Sequence, residues 1–119
     1  MIRLKRVYDP PAQDDGERWL AERLWPRGIR REDARLYGWL KELSPSPALR
    51  RWYGHNQRRW REFQERYRAE LRDPDKQPAL AELAEKARHG TITLVYAARD
   101  TERNSAVVLK RILDTRSRT

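Results

Sequence analysis

Thr91-Ile92-Thr93-Leu94-Val95-Tyr96 is the stretch on which the fold turns. From Ile92 to Tyr96 it is β-branched and almost continuously apolar, the pattern of a strand covered on both faces. Before it, Leu80, Leu83, Ala84 and Ala87 recur at helical spacing, with His89 in the last turn and Gly90 placed as a left-handed cap. After it, Ala106, Leu109, Ile112 and Leu113 mark a closing helix, with Thr115 to Thr119 as a frayed tail. Helix, buried strand and helix predict a parallel layer. The expected fold is α/β, a small three-layer domain with a mostly parallel sheet and flanking helices.

Working back toward the amino terminus, Ile2, Leu4 and Tyr8 alternate with Arg3 and Lys5, which predicts a first strand ending at Asp9-Pro10-Pro11. Asp14-Asp15-Gly16 reads as a turn. Trp19 to Trp25 reads as a second strand closed by Pro26-Arg27-Gly28, with the order and direction of these two strands left open. Leu36, Trp39, Leu40 and Leu43 have helical spacing and predict a helix from about Glu32 to Ser44-Pro45. Ser46-Pro47 caps and opens the next helix, Gly54 ends it, and Asn56 is placed to cap a third. That third helix carries Trp60, Phe63, Tyr67 and Leu71 as a core stripe. Its charges fall at i,i+4 as Arg58 with Glu62, Arg61 with Glu65, Glu62 with Arg66 and Arg66 with Glu70. Asp73-Pro74-Asp75 breaks the chain before the fourth helix.

A chain of 119 residues is one domain by size, so residues 1–119 are read as a single unit. Leu, Ile, Val and Phe total only 22, and the mean hydropathy is −1.09, values that on their own point toward disorder. Five Trp and five Tyr at regular spacing supply the missing apolar area, and a folded chain is expected. No cysteine is present, which excludes disulfides, thiolate metal sites and a cysteine nucleophile. Neither an apolar leader nor a spanning stretch is found, so a cytoplasmic protein with no membrane partner is expected.

The formal charge of +9 raises anionic ligands and nucleic acid as partners. Residues 50 to 68 hold seven Arg against two Glu, so the excess is concentrated mid-chain. The five glycines stand singly at 16, 28, 38, 54 and 90, from which neither a dinucleotide fingerprint nor a P-loop can be drawn. His55 and His89 lack metal-ligand spacing, so no metal and no cofactor is implied. A phosphate would have to be held by Arg.

In parallel α/β layers, ligands collect beyond the carboxyl ends of the strands, beside helix amino termini. Ala97-Ala98-Arg99-Asp100-Thr101-Glu102-Arg103-Asn104-Ser105 is one such junction, and Arg23-Leu24-Trp25-Pro26-Arg27-Gly28 is placed as another. The candidate ligand residues are Arg23, Trp25, Arg27, His55, Tyr96, Arg99, Asp100 and Asn104. Arg23, Arg27 and Arg99 would neutralise a phosphate or carboxylate, and Trp25 or Tyr96 would stack on a ring. His55, titrating near neutrality, is the candidate proton carrier. Against this stand plainer roles: Asp100 or Thr101 as helix caps, Arg99 as surface charge and His55 as a turn residue. Two functions compete at this point, a small-anion site with catalysis left open, and nucleic-acid binding by the basic Arg50 to Arg68 surface.

Lys5-Arg6-Val7-Tyr8-Asp9-Pro10-Pro11, Asp15-Gly16, Arg23-Leu24-Trp25-Pro26-Arg27-Gly28, Trp39-Leu40-Lys41-Glu42-Leu43, Trp52-Tyr53-Gly54-His55 and Thr93-Leu94-Val95-Tyr96-Ala97-Ala98-Arg99-Asp100 with Asn104 occur in one order. Across nearly the whole chain this set resembles the YeaO-like family of proteins of unknown function (DUF 488). The resemblance implies a compact three-layer α/β domain, bacterial or archaeal and intracellular, and no established activity. Longer relatives in the wider superfamily look similar in the second strand and the final strand and helix, but carry a cysteine and a histidine where this chain has Asn104 and Ser105. Their thiol chemistry does not carry over. Arg30 stands where the shorter family often has serine, so the first helix is expected to lack a strong side-chain cap.

Overall fold

Ile92–Tyr96 forms the strand predicted for it, and all five residues are buried. In the computed structural model, which describes residues 1–118, it is the last of four strands. The others are β1 (Ile2–Arg6), β2 (Glu17–Leu20) and β3 (Gly38–Trp39), and Ile92–Tyr96 is β4. The sheet order is β1-β4-β2-β3, with each pairing parallel. Leu94 sits in register with Leu4 on one side and Trp19 on the other. A strand with two parallel neighbours and both faces covered has no edge to show water, which is why its sequence does not alternate.

Five helices complete the α/β fold: α1 (Arg31–Ala34), α2 (Pro47–Tyr53), α3 (Trp60–Leu71), α4 (Gln77–His89) and α5 (Ser105–Ser117). Ile2, Ile92, Leu94 and Tyr96 point to one face, where they join Phe63, Tyr67 and Leu71 of α3, Leu80 and Leu83 of α4, and Ala106, Leu109 and Leu113 of α5. The rings supply much of this core. Tyr53 stacks on Phe63 at 4.4 Å between centroids, and Phe63 meets Tyr67 at 5.8 Å. The Tyr67 hydroxyl donates to the Leu43 carbonyl at 2.6 Å, so its one polar atom is satisfied inside the core. The radius of gyration, 13.6 Å, matches the roughly 13.5 Å expected of a folded chain this long. The low aliphatic content therefore does not signal disorder.

On the opposite face, alternation exposes Arg3, Lys5, Arg18 and Thr93 to a different set of neighbours. Asp15 and Arg18 are 3% and 4% exposed and are joined at 2.7 Å. Lys5 adds contacts of 3.2 Å to both Asp15 oxygens, and the Ala12 amide donates to Oδ2 at 3.0 Å. Arg18 Nε donates to the Ala34 carbonyl at 2.9 Å, and its Nη2 is buried without a partner. The predicted turn at Asp14-Asp15-Gly16 is thus a 3-10 turn, Gln13–Asp15, whose last carboxylate is bound into the sheet. Gly16 is required there. Its φ is +64°, and a Cβ would lie 2.0 Å from the Thr91 carbonyl oxygen.

Several expectations are corrected. The helix predicted from Glu32 to Ser44 is instead α1, strand β3 and a 3-10 turn, Lys41–Leu43. Arg35 adopts φ +52° and ends α1, after which Tyr37 N donates to Arg18 O and Leu40 N to Leu20 O. Gly38 lets this edge approach, because a Cβ would fall 2.5 Å from the Trp19 ring. The second strand stops at Leu20 rather than Trp25, and the first at Arg6 rather than Tyr8. Gly90 is extended at φ −176°, not left-handed, because the Met1 ammonium satisfies the α4 end through Ala87 O and Gly90 O. The predicted frayed tail is helical through Ser117, held by Arg88 Nε donating to the Ser117 carbonyl; Thr119 lies outside the described residues.

The caps at Ser46 and Asn56 form as read. Ser46 accepts from the Leu49 amide, Pro47 opens α2, Gly54 closes it in the left-handed region, and Asn56 caps the 3-10 turn leading into α3. Arg30, as expected, gives α1 no side-chain cap.

Candidate functional site

A cavity of about 650 Å³ opens at the carboxyl ends of β2 and β4, beside the start of α5. The topology explains its position. The chain leaving β4 enters α5 on the helical face, whereas the chain leaving β2 returns through α1, whose Ala34 carbonyl holds Arg18 on the other face. Neighbouring parallel strands with diverging connections leave a crevice between their ends.

Of the residues singled out by sequence, Arg23, His55, Arg99, Asp100 and Asn104 line this cavity. They arrive from three regions of the chain. Arg23 is built into the wall, with Nε and Nη2 donating to the carbonyls of Pro45 and Ser44 at 2.9 Å each. Asp100 organises the loop. Its Oδ1 accepts from the Glu102 and Arg103 amides at 2.9 and 3.0 Å, which together with the nearby Arg103 guanidinium hold its carboxyl below the usual range. Asn104, 5% exposed, caps α5 by accepting from the Val107 amide and donating to the Asp100 carbonyl. It is the residue that starts the helix, a role weighed from sequence for Asp100 or Thr101 as the alternative to ligand contact.

Trp25, Arg27 and Tyr96 do not line the cavity. Trp25 Nε1 donates to Ile29 O at 2.7 Å, its ring meets Trp39 edge-on, and Arg31 lies over it. The Arg27 carbonyl accepts from the Tyr8 hydroxyl. Tyr96 is 4% exposed and faces the core. The early end of β2 at Leu20 is the cause: the loop after it turns Trp25 and Arg27 away from the rim.

Three charged cavity residues were not among the predicted ligand set: Glu22, Arg50 and Arg103. Glu22 Oε2 accepts from the Ala97 amide at 3.0 Å, linking the segments that follow β2 and β4. Burial pushes its carboxyl pKa up, and the Ala97 hydrogen bond and the charges of Arg50 and His55 only partly offset this. Arg50 lies three residues before the buried Tyr53 on α2, a helical phase that could have flagged it. Glu22 carries no such pattern.

Arg50 and Arg99 differ from Arg23 and Arg103. Arg103 pairs with Asp100 at 3.5 Å, while the guanidinium groups of Arg50 and Arg99 make no hydrogen bond or ion pair among the described residues. His55 is held at φ +58°, directly after left-handed Gly54, so the α2 turn aims its ring along the rim. Backbone bonds from Gly54 N to Arg50 O and from Asn56 N to Tyr53 O fix this turn, not the imidazole. Tyr53 closes the cavity floor, donating to Arg103 O at 3.2 Å.

On the solvent side of α3, one of the four predicted ion pairs forms, Glu62 with Arg66. Glu70 is drawn away to accept from the Ser46 amide and hydroxyl. Trp52 lies under the guanidinium groups of both Arg59 and Arg66. His89 pairs with Glu85 in the last turn of α4. Among the described residues no group of His, Asp and Glu is placed to hold a metal ion, and no helix is long and apolar enough to cross a membrane.

The family model described as the inactive DUF488-N3 subclade matches residues 1–119. The chain belongs to this subclade. An uncharacterized protein of Mycobacterium tuberculosis is 43% identical over 115 residues, covering 97% of this chain and 95% of that protein. The uncharacterized protein YeaO of Escherichia coli K12 is 43% identical over 109 residues, covering 91% and 92%. No solved structure matches significantly. The YeaO-like resemblance read from the motifs is thereby shown, and the function of the family is not established by these relatives.

Proposed function

We propose that this chain binds a small anionic ligand, bearing phosphate or carboxylate, in the cavity at the carboxyl ends of β2 and β4. The observation that carries the reading is the pair Arg50 and Arg99, two cavity guanidiniums without a hydrogen bond or ion pair of their own, beside Arg23, which donates to two carbonyls, and Arg103, which pairs with Asp100. A cation with no internal partner in a concave site is available for an anion, and guanidinium suits phosphate and carboxylate geometry. The description of the subclade as inactive favours retention of a ligand over turnover. Asn104, in place of the cysteine of longer relatives, is occupied as a helix cap.

The test is thermal unfolding with inorganic phosphate and with citrate. Either anion, at a hundred times its dissociation constant, should stabilise the fold by about 2.7 kcal/mol, and Arg50→Ala or Arg99→Ala should reduce that gain. A melting temperature unmoved by both anions refutes the reading.

A second reading is contact with a nucleic-acid backbone through the outer face of α3. It is favoured by Arg58 and Arg61, which are exposed and lack the ion pairs that their spacing predicts, and by Arg68, which is exposed as well. Such binding would weaken steeply with salt. Retention on heparin lost already at low salt would count against it.

A further inference from the structure

We infer that the ligand of this cavity is a phosphorylated polyol, a molecule carrying hydroxyl groups beside its anionic end, and that Glu22 receives one of those hydroxyls. This rests on the anion-binding reading and goes further by naming what surrounds the anion. Two unmet needs meet in the cavity. Arg50 and Arg99 lack an acceptor, and Glu22 lacks a second donor, since Oε2 is bound by the Ala97 amide and Oε1 makes no hydrogen bond among the described residues.

A bare phosphate meets only the first need. It also sits near a carboxylate, whose charge opposes it unless Glu22 takes up a proton. A hydroxyl supplied by the same molecule meets the second need, because a half-buried carboxyl gains most from a donor that replaces its lost water. The remaining walls fit a carbon skeleton. Pro45, Ala98 and Phe63 give the cavity apolar surface, and 650 Å³ lies within the roughly 300–1,000 Å³ range of small-molecule sites. The second carboxylate on the wall, Asp100, is already engaged by two amides and by Arg103, which leaves Glu22 as the acceptor for the ligand.

Isothermal titration of the full chain with inorganic phosphate, glycerol 3-phosphate, ribose 5-phosphate and free ribose tests this. At least one of the two polyol phosphates should bind tenfold or more tightly than inorganic phosphate, and free ribose should bind far more weakly than either. Glu22→Gln should remove most of that tenfold advantage while leaving inorganic phosphate bound as well or better. If both polyol phosphates bind within threefold of inorganic phosphate, or if Glu22→Gln keeps the advantage, the polyol inference is overturned and the anion reading stands. If no phosphate compound binds the wild-type chain, the anion reading falls and the inference with it. The wild-type comparison needs no variant to fold.

Discussion

Two ionic clusters flank the same sheet and behave in opposite ways. At Asp15, Arg18 and Lys5, the carboxylate is saturated by one amide and two cations under 3.3 Å, and both Asp15 and Arg18 are closed to solvent. At Glu22, Arg50 and Arg99, the carboxyl holds one amide, and neither guanidinium makes a hydrogen bond or ion pair among the described residues, Arg50 reaching Glu22 only through its charge. The first arrangement is structural, its carboxylate fully engaged although Arg18 Nη2 is left buried without a partner. The second is kept apart by the backbone, because Glu22 follows β2, Arg50 sits on α2 and Arg99 follows β4. Charge alone does not separate a binding site from a structural one. Whether groups that face a cavity are left without partners does.

Breaking the closed cluster should have the largest effect. Arg18→Ala strands Asp15 in the interior and should cost about 3–5 kcal/mol in urea unfolding. A loss under 1 kcal/mol would mean that Lys5 alone suffices. Next is Gly16→Ala, which sets a Cβ against the Thr91 carbonyl at a left-handed position and should cost more than about 1 kcal/mol by the same measurement.

The pH dependence of stability should then run in opposite directions for the two carboxyls. Burial alone would raise Asp15, but the Ala12 amide, Arg18 and Lys5 overcome it and lower its pKa below 3.8. Its stabilisation is therefore present above pH 3.8 and lost as pH falls through the folded value. Glu22 is raised above 4.5, so its contribution is present below pH 4.5 and lost as pH rises through the folded value. Glu22→Gln should accordingly gain stability relative to wild type between pH 4 and pH 7. A difference that stays flat across that window would place the Glu22 carboxyl in ordinary solvent. The smallest effect on stability belongs to Arg99→Ala, expected within about 0.5 kcal/mol of wild type, with the phosphate-dependent rise in melting temperature reduced.

The contrast also shows what a sequence makes legible. β4 and α5 were readable because burial on two faces removes alternation, and because Ala106, Leu109 and Leu113 keep helical phase. β3 was not. Trp39, Leu40 and Leu43 have the offsets of a helix, yet a two-residue strand followed by a 3-10 turn gives the same offsets, and Gly38 decides between them only through the Trp19 ring. The candidate site was half legible for a related reason. Residues after β4 could be placed because β4 was placed correctly, whereas extending β2 to Trp25 carried Trp25 and Arg27 to the rim and passed over Glu22. The predicted Arg66–Glu70 pair of α3 is missing because spacing cannot foresee that Ser46 recruits Glu70.

The place of β4 between β1 and β2 bears on how the chain matures. The two amino-terminal strands have no ladder to share with each other, since each pairs with residues 92–96. On a ribosome β2 can pair with β3 once Trp39 has been made, but β1 must wait, unpaired, until nearly everything else has been translated, and closure of such distant contacts is slow. Arg3, Lys5 and Arg6 within β1, with Pro10 and Pro11 after it, suit that interval, because charge and proline keep an orphaned strand from joining its neighbours on other nascent chains.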